Sequence, residues 1–405
     1  MTISRTTGLD ATKSVRRLSI FIVHPSHFLT DYQANGDGLI ANGFIRELAR
    51  RGHELDVACE WTNFKEPLPP NVTLHYMRCR INTEPLHRVE YLVRARLLLR
   101  RLRRTRRLDI AHQLNPVFAG LSLGLAGARI PVVLGTFVAR WPNEDRERGF
   151  LANVRERVLD AVSHLQQRGA RAMLVTTRLA MEQRISADPR VRARVRFLKH
   201  GVDTNQFLPR DEAVAAPFGR ILLVAGLLPR KGVLVLLEAF ALVYARFPAA
   251  RLTFAGGGGE TERLRRRSVE LGIGDAVELL GDLPRSQIPA LMRDSDIYCL
   301  PSYGEPYATS IIEAMSAGLA IVVSDSGGVP EMVDDAGALK VATGSRDALA
   351  TALASLIAEP ERARVMGRHN RERAVREFDW RVVGDALERV YDEVLGAAHA
   401  RAPRR

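Results

Sequence analysis

Cysteine is scarce. Cys59, Cys79 and Cys299 are the three in 405 residues, and none forms a Cys-x-x-Cys pair or lies near a histidine cluster along the chain. This spacing argues against a disulfide framework and a structural zinc site, and it fits a reducing, cytoplasmic compartment. No run of roughly 18 apolar residues occurs, so no membrane-spanning helix is expected. Residues 1–17 hold Ser, Thr, Lys and Arg without the apolar stretch of a secretory signal, and they read as a flexible N-terminus. Aromatic and basic residues do not interleave and no groove-reading motif occurs, which argues against nucleic acid as a partner.

What is present is ordinary for a globular chain: 46% hydrophobic and 26% charged residues. The length exceeds what one core usually organises, so two domains are expected. Lys and Arg number 59 against 46 acidic residues, a net charge of +13 that favours anionic partners. Nine arginines fall within Arg88–Arg107 alone. The segment Tyr91–Arg107 reads either as a basic amphipathic helix on an anionic membrane surface or as the solvated face of a helix packed by its leucines.

Apolar strand patterns alternate with helical ones. Leu18–Val23 precedes the loop Asn35-Gly36-Asp37-Gly38, a helical pattern to Arg51 and a strand His53–Cys59. Asp109–His112, Ile130–Leu134, Met173–Thr177 and Val195–Leu198 continue as strands. After a looser stretch at Arg210–Pro217, strands at Arg220–Ala225, Arg251–Ala255, Val277–Leu280, Ile297–Leu300 and Ala320–Ser324 alternate with helices. Continuous apolar strands separated by helices predict parallel sheet. The fold class is therefore α/β: two doubly wound Rossmann-like domains facing across a cleft, at 18–212 and 213–378.

The densest constellation runs from Pro301 to Met315. A buried strand ends, a loop carries Glu305, and a helix starts near Thr309 and Ser310. First-turn amides lack internal partners, so they form a seat for a diphosphate. Glu313 could accept hydrogen bonds from ribose hydroxyls, and Glu305 from those of a sugar; the alternative is two surface glutamates. Arg230 and Lys231 follow the first strand of the second domain, where they would neutralise phosphate or form a solvated basic turn. Gly36 and Gly38 would let backbone approach a ligand, or belong to a plain loop. His112 ends a strand, either facing the cleft as a catalyst or filling a structural role. The run Gly256–Gly259 reads as a flexible connection rather than a cofactor loop, because it lacks the spaced glycine pattern. Asp294-Ser295-Asp296 matches a short metal signature but closes a helix before a strand, so no metal site is expected.

Together these residues resemble the large retaining family four of glycosyltransferases, the glycosyl transferases group 1, which have the GT-B fold. The resemblance is carried by His200-Gly201-Val202-Asp203 with Phe207, Lys231-Gly232, Phe254–Gly258, Leu280-Gly281, the Glu305/Glu313 pair, Gly318, and Gly327-Gly328 before Pro330-Glu331. It implies a sugar transfer from a nucleotide-sugar to an acceptor hydroxyl, retaining and without a required metal or other cofactor. The donor expected is a UDP-sugar, with a GDP-sugar as the alternative. The acceptor is a glycan, a lipid-linked molecule or a small molecule. Residue by residue, Glu305 and His112 would act at the reacting sugar, and Lys231, Arg230, Glu313, Thr309, Ser310, Gly36 and Gly38 would bind the donor. Residues 379–400 resemble the family's tail helix, which crosses back to the first domain. The chain departs from the family at Gly226, where an arginine is usual, and at Leu114, where a second histidine is usual. These departures keep a rival open, a non-catalytic sugar- or membrane-surface-binding protein of the same fold. A second rival is another GT-B enzyme such as a sugar epimerase. The location implied is cytoplasmic, including the inner face of the membrane.

Overall fold

The structure, a computed structural model, describes residues 16–400 apart from 25–27, 33–35, 82, 84–85, 115–119, 126–129, 143–149 and 212–216. The first part of the chain contributes β1 (Ser19–Val23), β2 (Phe28–Thr30), α1 (Gly36–Arg50), β3 (Glu54–Cys59), β4 (Trp61–Asn63), β5 (Val72–Tyr76) and α2 (Leu86–Thr105). It continues with β6 (Ile110–Gln113), β7 (Val132–Phe137), α3 (Phe150–Gly169), β8 (Ala172–Val175), α4 (Arg178–Arg184), α5 (Pro189–Arg192) and β9 (Val195–Phe197). Seven of these strands form one sheet in the order β5-β3-β1-β6-β7-β8-β9, every pairing parallel. β2 and β4 pair separately.

The second part contributes β10 (Arg220–Val224), α6 (Val233–Arg246), β11 (Arg251–Ala255), α7 (Thr261–Glu270), β12 (Val277–Leu279) and α8 (Ile288–Arg293). Then come β13 (Ile297–Leu300), α9 (Thr309–Ser316), β14 (Ala320–Ser324), β15 (Ala338–Val341), α10 (Arg346–Ala358), α11 (Pro360–Glu377) and α12 (Trp380–Ala400). Its sheet is also parallel, in the order β12-β11-β10-β13-β14-β15. Both sheets reverse direction beside their first strand, at β1/β6 and at β10/β13. Doubly wound sheets bind ligands in the crevice beyond the strand ends at such a switch point.

Burial explains the apolar runs. In β13 every residue from Ile297 to Leu300 is buried, as in β14 from Ala320 to Ser324, because helices cover both faces. The last helix, α12, belongs to the first domain's core: Val383, Leu387, Val390, Tyr391, Val394 and Leu395 pack with Leu48, Ile110 and Val133. Six such side chains contribute on the order of 10 kcal/mol, so the first domain needs this tail to fold. Arg51 reinforces the junction with ion pairs to Asp385 and Glu388, both at 2.7 Å.

The two domains meet along residues 199–203 and 377–381. Val202 donates its amide to the Phe378 carbonyl at 2.7 Å, and Trp380 returns a bond to the Val202 carbonyl at 3.2 Å. On the far side, the Glu331 carboxylate accepts the amides of Arg178 (2.7 Å) and Leu179 (2.9 Å), capping α4 across the domain boundary.

His112 has a structural place here. It is buried in β6, its Nε2–H donates to the Gly135 carbonyl at 3.2 Å, and its Nδ1 accepts from the Tyr391 hydroxyl at 2.6 Å. Neither ring nitrogen is left for a substrate, which runs against a catalytic His112; the histidine instead ties α12 to the sheet. Burial holds its pKa down at about 4, and that of buried His200 at about 3. Unfolded, both take a proton near pH 6.5. Between pH 6.5 and 4 the unfolded chain therefore binds more protons, and each histidine lowers stability by up to about 1.4 kcal/mol per pH unit as the pH falls. Urea midpoints across this range are expected to drop with acidification, and His112→Gln is expected to flatten the dependence.

Candidate functional site

The site lies at the β10/β13 switch point. The turn after β10 carries Arg230 and Lys231, and the loop after β13 carries Glu305. The amide of Tyr303 donates to the Arg230 carbonyl at 2.8 Å, fixing one segment against the other. Behind Glu305 the motif Gly327-Gly328 packs backbone to backbone. Gly327 adopts φ +72° with Glu305 main-chain atoms where a side chain would be, and Gly328 donates to the Glu305 carbonyl at 2.9 Å. Any larger residue there would displace the glutamate.

Glu305 is buried and ion-paired with Lys231. Burial raises its pKa, opposed by the charges of Lys231 and Arg230. Trp141, reaching over from the first domain, covers both cations: the Arg230 guanidinium lies 4.5 Å and the Lys231 ammonium 5.0 Å from its ring centre. One turn along α9, Glu313 is buried and paired with Arg285, one of whose bonds to the carboxylate measures 3.0 Å. Burial opposes the charge on Arg285, but the Glu313 carboxylate outweighs it and raises the guanidinium pKa.

Between the two carboxylates stands the N-terminus of α9. Ala308 at the N-cap supplies no side-chain acceptor, and among the described residues the Thr309 and Ser310 amides have no protein partner. The Ser310 hydroxyl is bonded to Tyr298 at 2.6 Å, so of its polar groups the amide is the one without a protein partner among the described residues. Thr309, Glu313 and Arg285 open into a cavity of about 850 Å³ between the domains, walled on the far side by Leu39, Asn42 and Arg46 of α1.

The structure thus gathers Arg230, Lys231, Glu305, Thr309, Ser310 and Glu313 around one helix terminus. Gly36 and Gly38 are not in a loop: they form the first turn of α1, with Gly36 exposed and nothing within 4 Å of where a side chain would start. Asn35 lies outside the described residues. Sequence reasoning missed Arg285 and Trp141, both brought in by contacts between distant segments. The run Gly256–Gly259 is not the flexible connection expected. Gly256 and Gly258 have φ +141° and +154° and press on the main chain of Ala225 and Leu227, so the run is a tight backbone junction beside the Lys231 turn. In the Asp294-Ser295-Asp296 run, Asp294 ends α8 and Asp296 holds Arg210 at 2.7 Å and Arg220 at 3.0 Å.

Residues 207–373, which contain this helix and both carboxylates, match the family model of glycosyl transferases group 1. The match lies within the second part of the chain and includes β10 to α10 and most of α11. Among curated relatives, a GDP-mannose-dependent alpha-(1-6)-phosphatidylinositol monomannoside mannosyltransferase of Mycolicibacterium smegmatis is 31% identical over 211 residues, 48% of this chain and 55% of that protein. A D-inositol 3-phosphate glycosyltransferase of Saccharomonospora viridis is 34% identical over 243 residues, 54% of this chain and 56% of that protein. The chain spans about half the length of the curated relatives it matches. The fold is GT-B. Sucrose-phosphate synthase of Thermosynechococcus elongatus superposes with a TM-score of 0.74 at 19% identity, covering 94% of this chain and all of that one. Anabaena HepE in complex with UDP superposes at 0.72 and 17%, covering 93% of this chain and all of that one.

Proposed function

We propose that this protein transfers a hexosyl group from a nucleoside-diphosphate sugar to an acceptor hydroxyl, retaining the anomeric configuration. The observation that carries the reading is the pair of buried carboxylates flanking the uncapped start of α9, each paired with a cation. The diphosphate would take the Thr309 and Ser310 amides and draw Lys231 and Arg230 to itself. Glu305 would then turn to the sugar hydroxyls, and Glu313 to the ribose. As the bond from the anomeric carbon to the diphosphate breaks, fixed amides and cations stabilise the negative charge on the leaving oxygen. The acceptor oxygen bonds to the same carbon from the same face, and its proton passes to the leaving phosphate. Because the chain itself supplies these charges, we infer that the reaction needs no metal.

The donor proposed is GDP-mannose, since the Mycolicibacterium relative is named for its dependence on it; a UDP-sugar is the alternative. For the acceptor we propose an inositol-containing, membrane-borne lipid. Helix α2 supports a membrane surface: Tyr91, Ala95, Leu99 and Leu102 bury inward, while Leu86, Val89, Val93 and Leu97 form an exposed apolar stripe on the opposite face. The exposed Arg100, Arg101, Arg103 and Arg104 continue this face toward its end, each worth about 1 kcal/mol near anionic lipid. Among the described residues no helix is long and apolar enough to cross a membrane, so attachment would be peripheral. Co-sedimentation with phosphatidylglycerol vesicles at low salt is expected, and Val89→Glu with Val93→Glu is expected to lower the bound fraction at least fivefold. Equal binding of this variant would remove α2 from the interface.

Release of free nucleotide tests the activity. GDP is expected from GDP-mannose, accelerated by phosphatidylinositol. Donor binding without nucleotide release under any acceptor would favour the non-catalytic reading that Gly226 and Leu114 left open.

A further inference from the structure

The three cysteines are separated from every histidine cluster along the chain, yet the fold brings Cys79 beside His87 and Glu60. One ligand atom from each lies within 4.8 Å of the other two. The group stands at the carboxyl ends of β3 and β5, where Glu60 follows β3, Cys79 follows β5 and His87 opens α2. We propose that Glu60, Cys79 and His87 bind a divalent transition-metal ion of the zinc class, independently of the donor site.

Three observations carry this. First, His87 Nδ1 sits 2.7 Å from the Ile81 carbonyl, which can only accept, so Nδ1 bears the hydrogen. That bond sets the tautomer and aims the Nε2 lone pair outward, as the second shell does for metal-bound histidines. Second, Nε2 lies 2.9 Å from a Glu60 carboxylate oxygen. A lone pair facing a carboxylate requires a cation between them, either a proton or a metal. Third, Arg78, next to Cys79, is held at φ +41°, a conformation that non-glycine residues rarely adopt and that gathers at ligand clamps.

Hydrogen bonds hold the described neighbours of the group. The Met77 amide bonds to the Cys59 carbonyl at 2.8 Å, tying the two strand ends, and Glu90 accepts the amides of Arg80 and Ile81 at 2.9 Å each. The Cys79 thiol also hydrogen-bonds the Glu60 carboxylate. On binding, the thiol proton leaves to solvent as the sulfur–metal bond forms. Bonds of about 2.0–2.3 Å place tetrahedral ligands roughly 3.3–3.8 Å apart, within reach of small side-chain rotations. One thiolate, one imidazole and one carboxylate suit zinc, and the fourth position is open to water or an anionic ligand.

Cobalt(II) titration of the full chain after EDTA treatment tests the site, because thiolate–cobalt charge transfer absorbs in the near ultraviolet. The band is expected to saturate at one equivalent and zinc to displace it. Cys79→Ser should abolish it, His87→Gln should weaken cobalt affinity at least about tenfold, and Cys299→Ala should leave it intact. No band in the native chain, or a band that survives Cys79→Ser, would overturn the proposal. Should Cys79→Ser fail to fold, His87→Gln carries the comparison, and unchanged affinity there overturns it equally.

Discussion

Lys231→Ala is expected to lower the rate of sugar transfer about 10²–10³-fold while the protein remains folded. The magnitude is that of removing one fixed donor from a developing oxyanion. Lys231 is a point cation in a turn whose backbone is held by the Tyr303–Arg230 bond, so truncation leaves the turn in place. It also leaves Glu305 buried without its partner. With that charge gone, burial raises the Glu305 pKa further, opposed by Arg230 alone. The variant therefore loses phosphate stabilisation and the ion pair of Glu305 together. Turnover at saturating donor separates this from a binding defect: kcat should fall much more than KM rises. An unchanged kcat would remove Lys231 from the diphosphate site.

Glu313→Ala should act in the complementary way. Its carboxylate is proposed to hold the ribose, an interaction made in the ground state as well as the transition state. Charged hydrogen bonds of this kind contribute about 1.5–3 kcal/mol, so donor affinity is expected to fall roughly 10–100-fold. Arg285 loses its partner at the same time and, being partly exposed, turns to solvent or to the phosphates. Arg285→Ala should consequently cost less than Glu313→Ala, and the double variant less than the sum, since the two residues share one contact. Calorimetric titration with GDP reads all three values. Equal affinity of Glu313→Ala and the native chain would sink the assignment.

Much of this was legible before the fold was known, for a physical reason. Fully buried parallel strands such as β13 and β14 leave unbroken apolar runs, and a strand followed by Glu305, a helix start and Glu313 is local in sequence. The order of the strands within each sheet, the pairing of β2 with β4, and the edge strand β5 are not local, and β5 is half-exposed with an indistinct pattern. The partners of the carboxylates were hidden for the same reason. Arg285 is 28 residues from Glu313, and Trp141 belongs to the other domain. His112 illustrates the opposite error: a strand-end histidine is compatible with the cleft, and only the packing of Tyr391, 279 residues away, gives it another role. The Glu60–Cys79–His87 group is the same case again, three segments joined by the pairing of β3 with β5 and the start of α2.

The start of α9, between Glu305 and Glu313, is proposed to hold a nucleoside diphosphate. Thermal unfolding of the native chain and of Glu313→Ala with GDP, UDP and ADP tests it most directly. A nucleotide at 100 times its dissociation constant adds about 2.7 kcal/mol of stability. A raised melting temperature with GDP, largely lost in Glu313→Ala, is the result this account requires; no shift with any of the three nucleotides would contradict it.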